Sequence, residues 1–351
     1  MSSHRVSRRR LLTWAGWVLA QASLSSWAGS GWTSARLPRL APVRFGIISD
    51  PHIDMGGHND WMMGEASLRC LRETVAALNL AGVDFVLVPG DLLHDGEKHN
   101  LTRAREILDT LRNPYFVIAG NHDYGPSDPA RRKKGEDYIT LSDFIGCFVG
   151  HGYDISKKRC WAVEPVQGYR LLALDGCLLE QMSGYGGYLP HEQLVWLEEQ
   201  LAANSHKPHL IMLHHSLVSL DAAEMDRWFS LENSAAVRRV LEAHRESVVA
   251  VLSGHCHVGL RHRRVKGIDY FITPSINSYP MRYTLFQLGG RGICWTSPDV
   301  PVEKSLHQRA KKGLLRASWL PDLLHKTGGK ALAYYENSRQ RHGCLGQKEK
   351  S

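Results

Sequence analysis

The 351-residue sequence predicts an α/β layered domain. Short runs rich in Val, Ile, Leu and Phe alternate with stretches whose apolar residues fall at helical spacing. Several runs are apolar throughout, as strands buried on both faces are. A cluster of Asp, Asn or His directly follows five of the runs, where open α/β sheets collect their ligands.

The elements follow in order. Val43–Ser49 is the first strand, and Asp50-Pro51-His52 ends it, because proline has no N–H to give a ladder. Ser67–Leu80 sets Leu68, Leu71, Val75 and Leu78 on one helical stripe, with Gly82 as its stop. Asp84–Pro89 is a strand leading to Gly90-Asp91, Thr102–Leu111 a helix, and Tyr115–Ala119 a strand leading to Gly120-Asn121-His122-Asp123. Residues 124–160 break the alternation. Pro126, Pro129 and the basic run Arg131–Lys134 mark an insertion of the kind that shapes access to a site. Strand Arg170–Leu174 and helix His191–Leu201 come next, then strand His209–Leu213 with His214-His215 at its end. Helix Ala235–His244, strand Val248–Ser253 with Gly254-His255-Cys256-His257, and strand Tyr270–Thr273 complete the core.

The ends differ from the middle. Residues 1–35 carry four arginines and no acid, residues 303–351 a net charge of +7, and residues 36–302 a net charge of −3. The basic charge therefore lies outside the core and gives nucleic acid no electrostatic support as substrate or partner. Arg8-Arg9-Arg10 before an uncharged apolar stretch matches a secretory leader of the twin-arginine type, over 1–35, and implies export to a bacterial periplasm. Residues 303–351 read as a basic amphipathic tail carrying Leu314, Leu315, Trp319, Leu320, Leu323 and Leu324. Packing on its own chain is expected there, with weak contact to an anionic membrane surface as the alternative. Seven scattered cysteines form no CxxC pair; Cys147 with Cys160 is one conceivable bridge.

The five clusters offer only oxygen and nitrogen donors, which suit borderline divalent metals. Asp50 and His52, at i and i+2, can face one metal if the chain stays extended past Ser49. Asp91 has two carboxylate oxygens and can bridge two cations. Asn121 is a neutral donor. His122 is placed to assist a leaving group, with Asp123 holding its imidazole. Neighbouring histidines on a strand face opposite ways, so His214 is the ligand, and His215 lies behind it or faces substrate. His255 and His257 share one side, with Cys256 turned away.

In these motifs the chain resembles the calcineurin-like metallophosphoesterase superfamily, whose pattern is D-x-H, G-D, G-N-H-D/E, H and G-H-x-H, from about Val43 to Leu288. The resemblance implies a four-layer αββα sandwich, two mixed β-sheets flanked by helices, with a dimetal site at the strand ends. It implies that Asp50, His52, Asp91 and His257 hold one metal, and Asp91, Asn121, His214 and His255 the other. Iron, manganese and zinc are the candidate metals. Gln193–Leu201 resembles the cyclic-nucleotide and glycerophosphodiester phosphodiesterase branch. Two features depart from that branch. His94 stands where GDxxN or GDxxD is usual, and where purple acid phosphatases carry a tyrosine, so no tyrosinate colour is expected. His214-His215-Ser216-Leu217 replaces His-His-Pro-Pro, which leaves His94 and His215 as candidate substrate-facing residues.

The function this implies is hydrolysis of a small phosphate ester, a diester first, by a water activated between two cations, with His122 assisting the leaving group. A phosphomonoesterase or nucleotidase on the same centre is the alternative. A metal-binding interaction module without turnover is a third reading.

Overall fold

A computed structural model describes residues 41–346 of the protein, except 58–59, 126–133, 157, 178–185, 221–228, 290–291 and 337–339. The leader and most of the Arg131–Lys134 run lie outside the described residues. The first strands are β1 (Val43–Ile47), β2 (Phe85–Pro89) and β3 (Tyr115–Ile118). The chain then builds β4 (Trp161–Val166), β5 (Tyr169–Leu174), β6 (His209–Leu213), β7 (Val248–Ser253), β8 (Arg261–Val265) and β9 (Ile268–Ile272). It closes with β10 (Thr284–Gly289), β11 (Gly292–Thr296) and β12 (His342–Gly346). These make two six-stranded sheets, in the orders β12-β11-β10-β1-β2-β3 and β4-β5-β6-β7-β9-β8. β1, β2 and β3 run parallel, as do β5, β6, β7 and β9.

Helices α1 (Ser67–Ala81) and α2 (Lys98–Leu108) precede β2 and β3. α3 (Leu141–Cys147) lies in the insertion, started by a reciprocal cap between Thr140 and Asp143. α4 (His191–Ala203) and α5 (Ser234–Ala243) precede β6 and β7, and α6 (Lys304–Arg316), α7 (Leu320–Lys326) and α8 (Ala331–Glu336) follow β11.

Alternate residues of the central strands enter different cores. Leu171 and Ala173 of β5 and Leu210 and Met212 of β6 join the cluster that includes Phe45, Phe85 and Phe286 of the first sheet. Leu172, Leu174, Ile211 and Leu213 join another with Leu197 of α4 and Leu241 of α5. Side chains alternate along a strand, so two apolar faces mean cover on both sides. The sheets stack face to face, Phe271 of β9 meeting Phe286 of β10 with ring centroids 5.0 Å apart. The outcome is the helix–sheet–sheet–helix layering that the sequence motifs implied.

The tail packs on its own chain and adds a strand that its helical pattern did not suggest. It is helical only to Glu336, and its last strand, β12, extends the first sheet alongside β11, where Cys294 and Cys344 are register partners joined by a disulfide. Cys147 and Cys160 are free thiols. Leu306, Ala310, Leu314, Leu320 and Tyr335 are buried against the protein's own core. Among the described residues no helix is long and apolar enough to cross a membrane.

Candidate metal centre

All five clusters lie at carboxyl ends of parallel strands: β1, β2 and β3 of one sheet, β6 and β7 of the other. The backbone there is not extended, as the i, i+2 argument assumed. Asp50, His52, Asp91, His255 and His257 have φ of 48°, 42°, 50°, 67° and 50°. Such left-handed non-glycine residues cost about 1–3 kcal/mol each and persist only where their surroundings hold them. Here they are held: His52 N donates to Asp91 O at 3.0 Å, and His255 N to Asp50 Oδ1 at 2.8 Å. Tight turns, rather than pleating, aim the side chains. Close approach also explains two of the glycines. A Cβ on Gly120 would collide with the amide nitrogen and Oδ1 of Asp91, and one on Gly254 with Ser49 Oγ and with Asp50 Oδ2.

The side chains form two converging groups. In the first, His52 Nε2 and His257 Nε2 are 2.9 Å apart, Asp91 Oδ2 is 3.4 Å from His52 Nε2, and Asp50 Oδ1 is 3.8 Å from His257 Nε2. In the second, His214 Nε2 is 3.0 Å from His255 Nδ1, 3.0 Å from Asn121 Oδ1 and 3.2 Å from Asp91 Oδ2. Asp50, His52, Asp91 and His257 can together hold one cation, and Asp91, His214 and His255 another. Imidazole nitrogens that face each other at hydrogen-bond distance, with carboxylate oxygens beside them, fit a shared positive ion. All of these except Asn121 are buried, and a single oxygen, Asp91 Oδ2, serves both groups.

The rings are oriented from behind. His214 Nδ1 donates to Pro89 O at 2.8 Å, and His257 Nδ1 pairs with Ser278 Oγ at 2.7 Å, which frees both Nε2 atoms toward the centre. Ser278 went unread because a serine in a polar loop gives no signal before its partner is in place. His122 N donates to Asp91 Oδ1 at 2.9 Å and its Nδ1 to His94 O at 2.7 Å. Asp123 does not hold this ring, contrary to expectation. Its oxygens accept the N–H groups of Leu93 and Gly120, at 2.8 and 2.7 Å, so it ties the second and third loops together. His215 is likewise not open to substrate: it is buried, 4.4 Å ring to ring from His255, with Nδ1 3.7 Å from Cys177 Sγ. His94 is partly exposed, its ring 6.2 Å from that of His122.

Without a cation the centre collects protons. Burial pushes the Asp50 carboxyl up to about 7, and burial with the neighbouring Asp91 charge pushes Asp123 up to about 8. Burial opposes a charge on His214, but Asp91 outweighs it and raises the ring to about 9. Burial holds His257 down to about 3 and His52 well below its ordinary value. Buried carboxylates that recruit protons are short of positive charge, which divalent ions supply.

Residues 43–259 match the calcineurin-like phosphoesterase family. A probable cyclic nucleotide phosphodiesterase from Synechococcus is 34% identical over 174 residues, 50% of this chain and 58% of that protein. One from Vesicomyosocius okutanii is 26% identical over 228 residues, 65% of this chain and 84% of its own. The glycerophosphodiester phosphodiesterase GpdQ of Enterobacter lignolyticus is 29% identical over 175 residues, 50% and 56%. The chain thus spans little more than half the length of the first and third of these relatives. Among solved structures, a dimetal phosphatase from Danio rerio superposes with a TM-score of 0.59 at 18% identity, covering 73% of this chain and 95% of that one. A purple acid phosphatase from yellow lupin gives 0.53 at 15%, covering 74% and 52%. These two likenesses concern the fold. Family membership rests on the sequence match, and the chain belongs to the calcineurin-like phosphoesterases.

Proposed function

We propose that the protein hydrolyses small phosphate esters, diesters before monoesters, at a pair of transition-metal ions drawn from iron, manganese and zinc. The observation that carries this is the shared oxygen: Asp91 Oδ2 lies 3.4 Å from a nitrogen of one group and 3.2 Å from a nitrogen of the other. Asp50, His52, Asp91 and His257 would hold the first ion; Asp91, Asn121, His214 and His255 would hold the second. When bound, the two ions polarise the phosphoryl oxygens and activate a water for in-line attack. The names of the relatives, cyclic nucleotide and glycerophosphodiester phosphodiesterases, support the preference for diesters.

The protein's own residues complete the site. His122 Nδ1–H donates a hydrogen bond to His94 O, which fixes the ring, so that in the doubly protonated imidazolium Nε2 is the atom that can deliver a proton to the leaving oxygen. Asp123 keeps the loops of Asp91 and His122 in register. Export to an oxidising compartment is part of the proposal, and the Cys294–Cys344 disulfide supports it.

A panel of phosphate diesters and monoesters, run with elemental analysis on one preparation, tests this reading. Turnover of diesters with two metals per chain is expected. Two bound metals and no turnover would remove hydrolysis, and turnover of monoesters alone would reverse the preference. His122→Ala should lower kcat by about 10²–10⁴ for a poor leaving group with metal content intact; an undiminished rate takes His122 out of the chemistry.

A further inference from the structure

The C-terminal helices, beyond the family match, reach the candidate cation pair through two tryptophans. Trp61, in the loop between β1 and α1, sets its ring 4.8 Å from that of His257 at 55°. Trp319, between α6 and α7, meets Trp61 edge-on at 5.5 Å and 86°, backed by Tyr335 at 6.5 Å. The join is close. A Cβ on Gly313 of α6 would strike the carbonyl oxygen of Asp60, and Arg309 pairs with Glu65 across the same seam. Gly259 N, two residues past His257, donates to Tyr334 O of α8 at 2.9 Å. The tail therefore clasps the Trp61 loop on one side and the His257 loop on the other.

Plain core packing would explain such a cluster if Trp61 were covered, but it is only half-buried while the ring beneath it, His257, is 4% exposed. The partly exposed indole thus packs on a ring of the group of Asp50, His52, Asp91 and His257. A large, flat, stiff side chain beside a phosphate-binding centre offers area at little conformational cost, and a second ring gains most by stacking on it.

We propose that Trp61, propped by Trp319, is a specificity surface of the hydrolytic site and receives a flat unsaturated ring on the organic group of the ester. This deepens the phosphoesterase reading and rests on it. Trp61 meets the substrate; Trp319 is a positioning residue that acts through it.

Phenylphosphonate and methylphosphonate share a head group and differ by the ring, so their affinity ratio isolates the surface. Calorimetry on the full-length, metal-loaded protein should show phenylphosphonate binding about tenfold more tightly, on the scale of one aromatic contact. Trp61→Ala should bring the ratio to about one, Trp61→Phe should keep most of it, and Trp319→Ala should lower it partway. The double alanine variant should match Trp61→Ala alone, since the two residues act in series. Trp61→Leu replaces the alanine variant if that one does not fold. A ratio that survives in Trp61→Ala or Trp61→Leu overturns the proposal, as does wild-type protein that binds neither phosphonate or prefers neither. An unaltered ratio in Trp319→Ala removes the prop. Ring preference without ester turnover would sink the hydrolytic reading and leave the surface standing; turnover without ring preference would do the reverse.

Discussion

The two ligand groups around Asp91 share a carboxylate and differ in the charge they add to it. The first adds the Asp50 carboxylate and two rings that burial keeps neutral, His257 at about 3 and His52 well below its ordinary value. The second adds a neutral amide, Asn121, and two rings, of which His214 is raised to about 9 against burial by Asp91. One half thus presents two carboxylates to a cation, and the other presents one, already matched by a proton. An added unit charge at about 4 Å is worth about 1–4 kcal/mol between bulk water and a protein surface. Each ion would displace a proton, one from Asp50 at about 7 and one from His214 at about 9, so the first should be held more tightly and the second should meet the stronger proton competition.

Removing what the halves share has the largest effect. Asp91→Asn keeps the shape and removes the charge from both groups. Elemental analysis should find the metal content falling from two per chain to below one, with kcat/KM lower by at least about 10²–10³, the scale of losing one preorganised electrostatic contact. Two metals retained at full occupancy would show that Asp91 is not the shared element.

A graded chelator series then separates the halves. With one carboxylate of difference between them, the two ions should leave at free-metal concentrations about ten- to a hundredfold apart. Asn121→Asp should close the gap by adding charge to the weaker half, and Asp50→Asn should close it by taking charge from the stronger. Asp50 also accepts N–H from His255 and O–H from Ser49, at 2.8 and 2.5 Å, so Asp50→Asn disturbs more than charge and Asn121→Asp is the cleaner change. Both ions leaving wild-type protein at one chelator strength would refute the asymmetry.

The same contrast explains what was legible in the sequence. Each cluster follows a short, strongly apolar run, so its place at a strand end could be read before its partners were known. Asp91 stood out because a carboxylate can serve two ions. The left-handed turns at Asp50, His52, Asp91, His255 and His257 could not be read, because tertiary bonds hold conformations these residues do not favour alone. Asp123 was misassigned for a related reason: adjacency suggested His122, but Gly120 and Leu93 offered N–H groups in better position. β8, Arg-His-Arg-Arg-Val, carries no apolar run because it is an edge strand, and β12 exists only through its pairing with β11. Trp61 and Trp319 lie 258 positions apart, and no local pattern joins them.

The smallest expected effect is on stability, and its sign follows from the proton–cation competition. In metal-free protein, Asp50 at about 7, Asp123 at about 8 and His214 at about 9 hold protons that the unfolded chain releases from ordinary values of 3.8 and 6.5. Raised groups stabilise the fold below their unfolded values and lose that contribution as pH climbs through the folded ones. Below pH 6.5 the lowered rings of His52 and His257 oppose this trend, since unfolding lets them charge. Between pH 6.5 and 9 the folded state binds more protons than the unfolded one, and stability falls as pH rises. The Tm of chelated protein should therefore drop by a few degrees across that window. Metal-loaded protein should stay nearly level, because the ions take the place of the protons at Asp50 and His214 and their charge lowers Asp123. A Tm that rises with pH in the chelated protein would mean that these groups are not short of positive charge, and the contrast between the two halves would lose its electrostatic basis.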